Sequence, residues 1–142
     1  MCPSFSLSIA NRMSELPRAT QAAGEFLRQQ GVSRDVIATV DLALDELLAN
    51  IVKWGYADSG EHRIQVTGAI DTTHMHMAIE DDGRPFDPTA APEPDLNAPL
   101  ERRREGGLGI HLVRTLVDEI HYERHGAQNC LRLKVALAPP SG

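Results

Sequence analysis

The sequence predicts an α+β fold, a two-layer sandwich of about five mostly antiparallel strands covered on one face by three helices. Three observations carry this. Short stretches with apolar residues at every second position alternate with longer stretches where they recur every three or four. The period-two stretches come largely in pairs joined by tight turns, which makes the strands antiparallel. The helical stretches each carry one apolar stripe, enough to cover one sheet face.

In chain order, "FSLSIA" at residues 5–10 alternates and reads as a strand. Ser14 is placed to cap a helix that runs to about Gln30 and ends at Gly31, with Pro17 harmless in its first turn. Ser33 caps the next helix, in which Val36, Ile37, Val40, Leu44, Leu47, Leu48 and Ile51 keep helical spacing until Gly55. "RIQVTGAI" and "HMHMAIE" flank "DTT" as a hairpin, and "EIHYER" and "NCLRLKVAL" flank "HGAQ" as a second. A helix over about 108–118 precedes that second hairpin. Between lies an irregular stretch rich in proline, read as a lid spanning about 85–106.

With 142 residues the chain has material for one domain and one core, so residues 1–142 read as a single unit. A net charge of −6 argues against nucleic acid as the main partner. No apolar run approaches the ~20 residues of a membrane span, and the N-terminus lacks a basic start and an apolar centre, so a cytoplasmic protein is expected. Cys2 and Cys130 lie at opposite ends without metal-site spacing and read as reduced thiols. His74 and His76 share one side of a strand but have no third ligand nearby, so they read as a solvated sheet face. Trp54 and Tyr56, at a helix end, are expected to pack beneath the sheet.

Three stretches bear on chemistry. In "DELLAN", Glu46 and Asn50 stand four apart on one helix face, with Lys53 a turn further, away from the leucine stripe. A carboxylate beside a carboxamide offers a base and a neutral oxygen ligand for a hard cation such as Mg²⁺. In "IEDDGRPFDP" a strand ends at Asp81, whose carboxylate can accept from an amino group, and Gly83 permits close approach to the backbone. In "EGGLGIHLV" glycines lead into a helix whose first amides lack partners and carry the positive end of the dipole, a setting for phosphate. Neither the Walker spacing nor GxGxxG is present. Each stretch alone also fits a blander role: a solvated helix face, an Asp-Gly turn, a loop entering a packed helix. Their order and spacing favour the joint reading.

In that order, "DELLANIVKWGY", "IEDDGRPFDP" and "GGLGIHLV" resemble the three signature boxes of the Bergerat-fold ATPases shared by gyrase, histidine kinases and mismatch-repair ATPases. The small size, Phe86 after "DDGRP", and the block "PLERRREGGLGIHLVRTLVDEI" resemble the RsbW-type serine kinases that act as anti-sigma factors. The resemblance implies an ATP- and Mg²⁺-dependent serine kinase acting on a STAS-domain anti-anti-sigma protein and alternately holding a sigma factor, as a homodimer. It implies Glu46 as general base, Asn50 as Mg²⁺ ligand and Lys53 as a phosphate neighbour. Asp81 would take the adenine amino group, with Gly83 beside the base; Gly107, Leu108 and Gly109 would bring amides to the phosphates, with Gly106 a hinge. One of Arg102, Arg103 and Arg104, with Arg104 favoured, would meet the γ-phosphate. Trp54 takes a place often held by histidine, and Cys130 one where threonine is common near the adenine. The rival is an ATP-binding module that sequesters a regulator without phosphoryl transfer.

Overall fold

The computed structural model describes residues 2–90 and 108–137. Five strands, β1 (Ser4–Ala10), β2 (Arg63–Ile70), β3 (His74–Asp81), β4 (Glu119–His125) and β5 (Gln128–Ala136), form one sheet in the order β1-β2-β3-β5-β4. Every neighbouring pair is antiparallel. Helices α1 (Leu16–Gln29), α2 (Arg34–Trp54) and α3 (Leu108–Leu116) supply the second layer. The expected α+β sandwich is therefore present, with one rearrangement. β3 pairs with β5 rather than with the next strand, so β4 lies at the edge and β5 returns between them.

α2 is framed by local chemistry. The Ser33 hydroxyl accepts from the Val36 amide at 3.4 Å, and the Gly55 amide closes the last turn on the Ile51 carbonyl. α1 ends in a Schellman arrangement: Gly31 takes φ 72°, Val32 N–H donates to the Leu27 carbonyl and Gly31 N–H to that of Arg28. Its start corrects the sequence reading. Ser14 caps nothing; a 3-10 turn over Met13–Glu15 leads in, and no side chain caps the first turn of α1. The Glu15 carboxylate instead reaches back to the Ala10 amide at 3.0 Å, tying α1 to the end of β1.

Alternation decides the sheet's buried face. Ile9, Ile64, Val66, Met75, Met77, Ile79, Leu131 and Leu133 point to the helices and meet Leu27, Val40, Leu44, Leu48 and Val113 in one core. The same parity carries Asp81 at the end of β3, Asn129 at the start of β5, and Tyr122 and Arg124 on β4 to that side of the sheet. Among the described residues no helix is long and apolar enough to cross a membrane.

Candidate nucleotide site

Between the C-terminal half of α2 and the ends of β3, β4 and β5 lies an open cleft. Leu47, Ile51 and Leu131 make its apolar walls, and Asn50, Asp81, Arg84 and Asn129 its polar points. Asn50 borders it, as its place off the leucine stripe requires, and its amide nitrogen donates to the Glu46 carbonyl at 2.9 Å. That bond uses one of the two amide N–H groups, and among the described residues the amide oxygen has no partner and is available to a ligand. Lys53 stands one turn on, exposed and outside the cleft wall.

Asp81 is 4% exposed. One of its oxygens accepts from the Gly83 amide at 2.8 Å and from Asn129 Nδ2 at 3.0 Å; among the described residues the other has no donor. Burial pushes its carboxyl above the usual carboxylate value, and the Asp82 charge adds to this; the bonds from Asn129 and Gly83, and Arg124 nearby, pull the other way. The free oxygen is thus an acceptor set in an apolar wall.

Asn129, 5% exposed, holds the arrangement together. Its Nδ2 also lies 3.3 Å from the Gly83 carbonyl and 2.9 Å from that of Arg84, and its oxygen accepts from the Tyr122 hydroxyl and from Arg124 Nη1. Arg124 Nη1 donates to the Gly83 carbonyl as well, at 3.0 Å. From the other side, Arg84 donates its amide to the Gly55 carbonyl and its Nη2 to the Trp54 carbonyl, both at 2.7 Å, satisfying the end of α2. Gly83 is required by this crossing: a Cβ there would lie 2.6 Å from the Gly55 carbonyl oxygen. The close approach expected of it toward a base is made here to the protein's own backbone.

The glycine-led helix meets α2 one turn before Asn50. The Glu46 carboxylate lies directly against Gly109, where a Cβ would collide with it. The candidate base and the N-terminal turn of α3, which Leu108 opens, are therefore in contact. Arg102, Arg103, Arg104, Gly106 and Gly107, with most of the expected lid, lie outside the described residues.

Two sequence expectations are corrected. Cys130 is not beside Asp81: Asp81 pairs in register with Asn129, and strand alternation turns Cys130 to the opposite face. Asn129 was missed, although it continues the inward parity of Leu131, Leu133 and Val135, where a polar residue stands out. Nor does Trp54 pack beneath the sheet; it is 58% exposed and lines the cleft. Tyr56 is half-buried and stacks on His62 with ring centroids 4.3 Å apart. On the outer side of β3, His76 is bonded to Asp71 and His74 to Thr73.

The histidine kinase-like ATPase domain family matches residues 9–135, and the chain belongs to that family. Within it, the chain falls among the protein serine kinases. It is 32% identical over 103 residues to the serine/threonine-protein kinase BtrW of Bordetella bronchiseptica, covering 72% of each chain. It is 30% identical over 98 residues to the serine-protein kinase RsbW of Oceanobacillus iheyensis, covering 65% of this chain and 61% of that one. The fold is similar to that of the RsbU and RsbW domains of Rv1364c from Mycobacterium tuberculosis, with a TM-score of 0.67 at 17% identity over 98% of this chain and 34% of that one.

Proposed function

We propose that the chain is a Mg²⁺-ATP-dependent protein serine kinase that phosphorylates a serine of a STAS-domain anti-anti-sigma protein and alternately holds a sigma factor. The observation that carries this is the contact of Glu46 with Gly109 at the start of α3, one turn of α2 before Asn50, which with Asp81 lines the cleft. The assignments follow from the donor and acceptor inventory. The unpaired Asp81 oxygen accepts from the adenine amino group. The first amides of α3, with the glycine run before it, receive phosphate oxygens. Arg104 and Lys53 are assigned to phosphate charge.

For the metal, the described residues contain no group of three or more carboxylate, histidine or cysteine ligands. One neutral oxygen, that of Asn50, fits a cation that completes its shell with water and phosphate oxygens, as Mg²⁺ does. When bound, such an ion would neutralise charge on the phosphates. Glu46 would take the proton from the serine hydroxyl as its oxygen bonds to the γ-phosphorus and the bond to the ADP oxygen breaks.

The test mixes the protein with Mg²⁺, γ-labelled ATP and a candidate STAS-domain partner protein. Label on serine, lost in Glu46→Ala with ATP affinity kept, supports the kinase. ATP binding with no transfer in either protein supports a module that only sequesters its partner. Asn50→Ala and Asn50→Asp are expected to weaken Mg²⁺-nucleotide binding in calorimetry; wild-type affinity would overturn the metal assignment.

A further inference from the structure

We infer that two exposed leucines of α3, Leu112 and Leu116, are the seat on which the serine-carrying protein docks, by an apolar patch beside its serine. The inference rests on the kinase reading above and goes beyond it by naming the surface that holds the acceptor.

Of the five large apolar side chains exposed among the described residues, only Leu112 and Leu116 share a helix. α3 carries two stripes of the same spacing, set one residue apart. Ile110 and Val113, with Val117 just beyond the helix, are buried. Gly109, Leu112 and Leu116 repeat at i, i+3 and i+7 and so share a different face. That face begins where Gly109 meets the Glu46 carboxylate and continues as Leu112 and Leu116, 43% and 47% exposed. Beside them Thr115 turns its hydroxyl inward, donating to the His111 carbonyl at 2.9 Å. On α2, the half-buried Leu42 stands one turn before Glu46 on the same face as it. Apolar side chains thus lead away from the candidate base along both helices.

Distance decides what covers them. At 1.5 Å per residue, Leu112 and Leu116 lie about 4.5 and 10.5 Å along the axis from Gly109. A protein whose serine hydroxyl reaches Glu46 must rest on the surface around that carboxylate. A stable contact buries about 800 Å² of each partner, equivalent to a disc of about 16 Å radius. A contact centred on the base therefore takes in both leucines. Their chemistry selects the partner: a charged surface laid on them would lose water from its charges and gain no pair, whereas an apolar patch would be covered with profit to both sides.

The experiment measures transfer from Mg²⁺-ATP to a folded STAS-domain partner as its concentration is varied. In Leu112→Ser/Leu116→Ser the KM for that acceptor should rise at least about tenfold, with kcat at saturation and ATP affinity kept. Leu112→Met/Leu116→Met, which restores apolar area, should recover most of the loss. Both side chains are exposed, so the serine variant keeps the fold, which a melting curve verifies. Hydrogen exchange tests the same face in the unaltered chain, where adding the acceptor should slow exchange of the amides over 112–116. A wild-type KM in the double serine variant, a fall confined to kcat, or unslowed exchange over α3 overturns the docking seat and leaves the kinase reading intact. A change of oligomeric state in the serine variant also overturns it, by giving the face to a second copy of the chain. Absence of serine transfer by the wild-type protein overturns both.

Discussion

Gly83 and Gly109 have the same apparent purpose in the sequence, close approach of a nucleotide, yet their surroundings predict opposite consequences for alanine. At position 83 an added Cβ would sit 2.6 Å from the Gly55 carbonyl oxygen and 2.9 Å from Asp81 Oδ1. Neither neighbour yields easily. The carbonyl is held by the Arg84 amide at 2.7 Å, and the carboxylate is buried and bonded to Asn129. Overpacking against a fixed neighbour costs about 1–3 kcal/mol, or a fall in Tm of about 3–12 °C for a chain of this size. At position 109 the nearest atoms to the Cβ are those of the Glu46 carboxylate, the far end of a flexible side chain. That carboxylate can rotate away for about 1 kcal/mol, and alanine returns up to about 1 kcal/mol in helix propensity. Gly109→Ala should therefore melt within about 3 °C of wild type. On the proposed chemistry the displaced base slows phosphoryl transfer by about a hundredfold or more. Calorimetric melts and the labelled-ATP assay on both variants separate the cases. A wild-type melt for Gly83→Ala, or an unaltered transfer rate for Gly109→Ala, would refute the reasoning.

Further outcomes follow from the buried polar groups. Burial raises the Asp81 pKa, so its contribution favours the fold below the ordinary carboxylate value of 3.8 and is lost as pH rises through the raised one. At neutral pH the ionised side chain therefore costs stability: Asp81→Asn should melt at or above the wild-type Tm while ATP affinity falls more than about tenfold, because an amide donor replaces the acceptor. A large drop in Tm, or retained affinity, would contradict this. Asn129→Leu leaves the Gly83 and Arg84 carbonyls, Tyr122 and Arg124 short of partners, a loss of about 3 kcal/mol or more. It also removes the strongest influence lowering the Asp81 pKa, so the acid limit of ATP binding should move to higher pH. His62 is drawn up in pKa by Asp58 and then Asp82. That stabilisation is full below pH 6.5 and fades as pH rises through the elevated value. His62→Gln should flatten this decline in Tm; an unchanged pH profile would exclude the two-carboxylate contact.

What the sequence disclosed was local. α2 could be placed because its stripe, its Ser33 cap and its Gly55 stop all act within a few residues of one another. The hairpins were visible for the same reason. Invisible was the insertion of β5 between β3 and β4, since pairing of β3 with β5 joins residues some fifty positions apart and leaves no nearby signature. The Cys130 error has the same source: with a period of two, a shift of one residue exchanges the faces of the sheet. The position next to Asp81 is settled only by the register Asp81↔Asn129. Trp54 was misplaced by treating an aromatic at a helix end as core, when its turn of α2 faces the cleft rather than the sheet.

The turn after β3 joins the two layers of the sandwich, and this bears on how a ligand would be felt. Its carbonyls are held from the sheet by Asn129 and Arg124, while the Arg84 amide and guanidinium hold the end of α2. Asp81 at the start of this turn and Trp54 at the end of α2 thus keep a fixed relation only while both sets of bonds persist. A base bridging the two would add a third connection across the same junction, and its binding free energy would appear as resistance of helix layer and sheet to separation. The glycine at position 83 is what allows the junction to be short. With any side chain there, turn and helix end would have to move apart, and the acceptor and the aromatic would no longer face one slot.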